Sequence, residues 1–316
     1  AVWVVQPGGG HRRRGGRGRS RAARRPPPKK WGCVMKFVTV SGPPSVGKTA
    51  VILKTIAHLQ DAGAKPRRNE MREREGRDAR LARSEEGAYQ EVRNRRATPA
   101  GGMDRPSQRA GHDGAALKVG VVKFDCLSTR DDEIYEKHGI QVKKGLSGAL
   151  CPDHYFVSNV EEIVQWGIAQ EMDVLVSESA GLCNRCSPYI KDVLAVCVID
   201  NLSGVNTPRK VGPMLKSADI VVITKGDIVS QAEREVFARA VSVVNPKAMV
   251  MNVNGITGQG SSELASLLRD ADDVDTVNGR RLRFSMPAAL CSYCLGETRI
   301  GEAHQQGNVR KINLDA

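Results

Sequence analysis

Gly42-Pro-Pro-Ser-Val-Gly47-Lys48-Thr49 is the stretch whose residue types and spacing point most directly to chemistry. It is G-x-x-x-x-G-K-T, set between an apolar run and an amphipathic one. The glycines let the backbone N–H groups of Ser45, Val46 and Gly47 wrap phosphate oxygens, and the following helix adds favourable dipole charge. Lys48 is expected to contact the β- and γ-phosphates and Thr49 to bind Mg2+. Thr224-Lys225-Gly226-Asp227 ends a second apolar run and matches the N/T-K-x-D pattern for guanine. Its carboxylate would accept from the N1 and N2 donors of guanine, which adenine lacks, so GTP is the expected nucleotide. Asp125 and Glu178 end the runs VKFD and DVLVSES, at the carboxyl edge where open α/β sheets bind ligands. Asp125 would hold Mg2+ or position the attacking water. Glu178 and Gly181 would sense the γ-phosphate. A carboxylate that merely caps the next helix is the alternative for each.

A second chemistry sits in the cysteines. There are eight, and two C-x-x-C pairs are formed by Cys183 with Cys186 and by Cys291 with Cys294. In a reducing compartment such pairs favour metal or redox chemistry over disulfides. Four thiolates together would suit Zn2+ or an iron–sulfur cluster, within one chain or across a dimer. Two separate half-sites, or inert thiols, would leave the same pattern. Cys197, inside VLAVCVID, reads as core; Cys126 adjoins Asp125; Cys33 lies in the N-terminal arm.

The elements that must position these residues follow from the hydrophobic pattern. KFVTV (36–40), LKVGVVKFD (117–125), DVLVSES (173–179), VLAVCVID (193–200), DIVVITK (219–225) and AMVMNVN (248–254) read as strands. Helices are expected at 50–63, where Ile52, Ile56 and Leu59 share a face, and near 159–171, 230–242 and 261–270. Continuous apolar strands alternating with amphipathic helices indicate a doubly wound, mostly parallel α/β sheet, here a P-loop NTPase domain. That domain spans 35–63 and 117–270. Residues 1–34 form an expected disordered Arg/Gly/Pro-rich arm, 64–116 a disordered charged insertion, and 271–316 a C-terminal extension.

The net charge is +13. Residues 1–34 hold ten Lys or Arg and no acid, while 61–116 hold thirteen basic and ten acidic side chains. The two arms thus carry the whole excess. Without aromatic residues interleaved for base stacking, nucleic acid is not the expected partner. The sequence has no hydrophobic signal region and no apolar run near 18 residues, so a soluble, cytoplasmic protein with no membrane partner is expected.

At six places the sequence resembles the metal-handling SIMIBI-class GTPases, above all the nickel-insertion GTPases that mature urease and nickel–iron hydrogenase. These are SGPPSVGKT (41–49), VVKFDCLSTRDD (121–132), CPDH (151–154), ESAGLCNRCSP (178–188), VIDNLSGVNTPRKVGPML (198–215) and TKGD (224–227). The resemblance implies a GTP-dependent homodimer that carries a metal, usually Ni2+, at the dimer face. It would release that metal to an apo-metalloenzyme or another accessory protein. Cys151 and His154 stand where the urease type has Cys-Pro-His, one residue longer here; thiolate plus imidazole suits Ni2+ or Zn2+. The Cys183–Cys186 pair has no counterpart in the urease type. The expected activity is therefore GTP hydrolysis coupled to metal delivery or metallocentre assembly. Unaided turnover is expected to be slow, since no arginine finger is evident; Arg130 and Arg185 are candidates. A metal- or Fe–S-binding regulator using GTP as a conformational ligand is the alternative reading, as is an ATP-dependent P-loop kinase or ligase.

Overall fold

The computed structural model describes residues 34–61, 116–181, 186–284, 296–306 and 309–314. Most of the N-terminal arm and of the 64–116 insertion lies outside them, as do Cys33, Cys183, Arg185, Cys291 and Cys294. The described chain builds strands β1 (Met35–Ser41), β2 (Val119–Asp125), β3 (Gln141–Leu146), β4 (Val174–Ser179), β5 (Leu194–Asp200), β6 (Ile220–Thr224), β7 (Met249–Asn252) and β8 (Asp273–Val274). The helices are α1 (Lys48–Asp61), α2 (Asp131–Lys137), α3 (Pro152–Val157), α4 (Val160–Ala169), α5 (Thr207–Lys210), α6 (Pro213–Lys216), α7 (Gln231–Val244) and α8 (Ser261–Arg269).

Seven strands run parallel in the order β3-β2-β4-β1-β5-β6-β7, and β8 joins β1 antiparallel. The expected parallel α/β sheet is thus the observed one. Side chains two apart share a face of a strand, and this parity sorts the core. Val38, Val40, Val121, Val176 and Val196 pack on the side of α1 and α8. Phe37, Val122, Phe124 and Leu175 pack on the opposite side with α3 and α4. A third cluster joins Ala195, Cys197 and Ile199 to α6 and α7. Cys197 is core, as its place in an apolar strand indicates.

Among the elements that periodicity did not signal, three bear on the site. Strand β3, QVKKGL, is an edge strand that pairs only with β2, and most of its residues are half-buried. Helices α2 and α3 are single-turn to two-turn elements, too short for a 3.6-residue period to register. Helix α3 matters most, because it carries Asp153 and His154, and all six of its residues are buried.

The segment after residue 270 docks on the sheet domain. Val274, Val277, Leu282 and Ile300 belong to the α4-side core. Arg283 clamps the junction: its guanidinium donates to the carbonyls of Ile190 (3.0 Å), Ser217 (2.8 Å) and Val193 (2.7 Å) and pairs with Asp219 at 2.7 Å. Asp219 in turn accepts from the N–H of Ala195 at the start of β5. Arg283→Met keeps the stem but removes every donor, leaving three carbonyls and a carboxylate short of a partner. We expect a loss of about 2 kcal/mol in denaturant unfolding, read as a lower midpoint; an unchanged midpoint would mean the clamp contributes nothing.

Candidate functional site

Strand β1 ends at Ser41, and the chain turns through Gly42–Gly47 into α1. Ser45 (φ 62°) and Gly47 (φ 88°) both take left-handed backbone, which curls the loop over the first turn of the helix. The Lys48 ammonium donates to the carbonyls of Gly42 and Pro43, both at 2.8 Å. Its burial draws its pKa down to about 8, with Glu178 opposing the shift. Gly181 (φ +61°) lies directly on this loop: a Cβ there would meet the Gly42 carbonyl oxygen at 2.1 Å.

The carboxyl ends of β2 and β4 bring the charged residues together. By strand parity Lys123 and Glu178 face α1, and they are register partners across the β2–β4 pair. Glu178 is fully buried. Its Oε1 accepts from Thr49 Oγ1 (2.9 Å) and Lys123 Nζ (2.7 Å), and its Oε2 from the Tyr135 hydroxyl (2.7 Å). Lys123 also holds Asp131 at 2.6 Å. Burial opposes ionisation of Asp131, but Lys123, Thr49 and Thr129 draw its pKa below the ordinary carboxylate value. Burial and the Glu178 charge push the Tyr135 phenol well above its usual value, so it stays a donor. Asp125 is half-buried, and its carboxylate accepts the Cys126 N–H at 2.8 Å. The Thr49 hydroxyl and the Glu178 carboxylate, bonded at 2.9 Å, are oxygen donors of the kind Mg2+ prefers.

The guanine-type motif sits on the other side of the loop. Thr224 Oγ1 donates to the carbonyls of Val46 (2.6 Å) and Ile199 (3.2 Å). Lys225, itself at φ 57°, donates to the Ser45 carbonyl (2.9 Å) and to Asp200 (2.7 Å). The motif therefore supports the phosphate loop from behind. Asp227 is exposed. Three residues on, Ser230 and Glu233 form a capping box that starts α7 and anchors the loop carrying Asp227.

The second chemistry lies across the sheet. Ser179, next to Glu178, points to the α3 side and donates to Asp153 Oδ1 at 3.1 Å. Cys186 Sγ donates to Asp153 Oδ2 at 3.0 Å. Burial raises the Asp153 carboxyl to about 6, with the Cys186 and Ser179 bonds resisting. His154 Nδ1 lies 3.5 Å from Glu297, and both side chains are 1% exposed. Of the pair expected to carry a metal at the dimer face, Cys151 is half-buried just before α3 and His154 is buried on that helix. Among the described residues no three His, Cys, Asp or Glu side chains are grouped to hold a metal ion. Cys183, Cys291 and Cys294, needed for the four-thiolate expectation, lie outside them.

Lys123, Asp131, Tyr135, Asp153 and Asp200 are site residues that motif reading passed over. Lys123 had a signal: a lysine inside the buried run VGVVKFD, two residues before Asp125, demands carboxylate partners on that face.

The CobW/HypB/UreG nucleotide-binding domain family profile matches residues 110–252. An uncharacterized protein of Methanocaldococcus jannaschii is 41% identical over 279 residues, covering 88% of this chain and 97% of that protein. Urease accessory protein UreG 2 of Methylorubrum populi is 34% identical over 187 residues, 54% of this chain and 85% of its own length. Among solved structures, HypB from Helicobacter pylori in complex with nickel aligns at 15% identity and TM-score 0.47, over 74% of this chain and 85% of that one.

Gly181→Ala tests the contact between the β4 end and the phosphate loop. The added methyl must displace the Gly42 carbonyl, which also accepts from Lys48. We expect triphosphate affinity to fall at least about tenfold, as a loss of 1–2 kcal/mol of loop geometry implies. Titration with a fluorescent GTP analogue checks it; unaltered affinity would separate Gly181 from the phosphate site.

Proposed function

The chain belongs to the CobW/HypB/UreG family, and we propose that it is a GTPase whose nucleotide state controls a bound transition metal, nickel by preference. One observation carries the coupling. Consecutive residues at the end of β4 face opposite sides of the sheet: Glu178 bonds Thr49 of the phosphate loop, and Ser179 bonds Asp153, which holds Cys186. A shift of that strand end moves both networks together. Asp227 reads guanine. Lys225 and Thr224 brace the phosphate loop, and Lys48 with the Ser45–Thr49 amides balances charge on the β- and γ-phosphates. Thr49 and Glu178 are the groups that would hold Mg2+, which supplies Lewis-acid polarisation of the phosphate oxygens. Asp125, at the β2 end, positions water for attack.

The metal cargo is assigned to the cysteine loop Cys183–Cys186 with Cys151, His154 and the Cys291–Cys294 pair. Cys186 is already held within the interior at Asp153. Nickel as cargo follows from the resemblance to the nickel-insertion GTPases. A homodimer, and a metalloenzyme or accessory protein as receiver, belong to the same reading. The sheet domain, 35–63 and 117–270, acts as the nucleotide engine, and the extension from 271 supplies metal ligands.

GTP and ATP turnover by the purified protein, with and without Ni2+, tests the proposal alongside bound-metal analysis. GTP is expected to be the preferred substrate. Asp227→Asn turns an acceptor into a donor and should weaken GTP binding at least about a hundredfold. Equal use of ATP by the parent protein would refute the guanine assignment. Replacing Cys183 and Cys186 together with Ser should leave GTP affinity intact and abolish any metal effect on turnover. A retained metal effect would place the cargo elsewhere.

A further inference from the structure

Lys123 is a residue of the phosphate site that the proposed chemistry does not use, and its placement is costly. A lysine 4% exposed at the end of a buried strand is tolerated only where carboxylates repay its desolvation. Two do: Glu178 at 2.7 Å and Asp131 at 2.6 Å. Burial works against the charge, yet the carboxylates outweigh it and hold the pKa above the ordinary lysine value. The ammonium therefore stays charged under physiological conditions.

The position of that charge is informative. Glu178 Oε1 accepts from Lys123 and from Thr49 at once. Thr49 is the loop hydroxyl suited to a divalent cation. A divalent cation held by Thr49 and Glu178 would stand close to the ammonium, and two like charges so placed in a buried site repel strongly. One must leave.

We propose that Lys123 is a built-in counter-cation that competes with divalent metal for Glu178, so that metal enters the phosphate site only when a triphosphate brings it. The inference rests on the nucleotide-site reading above. Asp131 makes the exchange feasible, since it also pairs with the ammonium and would keep it when Glu178 is taken. For a protein that also handles a transition metal, the device keeps free cargo ions off the phosphate site. Lys123 acts through Glu178 and is a positioning residue.

The test is Mn2+ binding to the full-length protein without nucleotide, followed by electron paramagnetic resonance, in the parent and in Lys123→Met, Lys123→Arg and Lys123→Met/Glu178→Gln variants. Lys123→Met leaves two uncompensated carboxylates beside Thr49 and should bind Mn2+ at least about tenfold more tightly than the parent, the effect of one removed like charge. Lys123→Arg should match the parent, and the double variant should lose the gain. Thermal unfolding gives a second reading: millimolar Mn2+ should raise the midpoint of Lys123→Met and leave the parent unchanged. Equal Mn2+ affinity in Lys123→Met and parent overturns the proposal. So does a Lys123→Met protein that stays unfolded with Mn2+ present, because the metal then cannot replace the ammonium. GTP binding by the parent is measured separately. If it fails while the Mn2+ contrast holds, the nucleotide reading is wrong and the cation competition stands.

Discussion

A carboxylate with no exposure, placed at the end of an interior strand of a parallel sheet, is the constraint on which the rest of the site depends. Glu178 is fully buried and would be prohibitively costly there alone. Its two oxygens are met by a lysine, a threonine and a tyrosine from three different elements: β2, the start of α1, and α2. Satisfying Glu178 therefore pins the phosphate loop to β2 and draws α2 over the sheet edge. The same need explains Asp131, which completes the coordination of Lys123. Loop, strand and helix are held in register by one charge.

Strand parity gives that charge a reach beyond the phosphate site. Glu178 and Ser179 are covalently adjacent yet belong to opposite faces, so the strand end is a lever between two buried polar clusters. On the far face Asp153 links Ser179 to Cys186, with His154 and Glu297 beside it. Two residues further on, Gly181 rests on Gly42 with no room for a side chain. The β4 end thus ties the phosphate loop, through Glu178, to Ser179 and the Asp153 and Cys186 side chains beyond it.

The nucleotide half of this arrangement was legible because its chemistry is written in local spacing. Glycines bend the loop, Lys48 and Thr49 open the helix, and TKGD closes a strand, all within a few residues of one another. The parallel sheet was legible too, since buried strands are continuous apolar runs. What escaped were features set by tertiary neighbours. Strand β3 reads as polar because it is an edge strand. The CPDH segment gave no helical signal, yet its proline begins a buried helix. The extra residue in that segment, Asp153, is the one that reaches Ser179 and Cys186. Lys123 was hidden by its apolar neighbours, and its partners Asp131 and Glu178 lie far from one another along the chain.

Amide hydrogen exchange, compared between the protein bound to a non-hydrolysable GTP analogue and bound to GDP, tests the coupling most directly. The account requires exchange to differ in helix α3 and in residues 186–190 as well as in the phosphate loop, because the β4 end connects them. Differences confined to residues 42–49 and 224–227, with α3 and 186–190 unchanged, would contradict it.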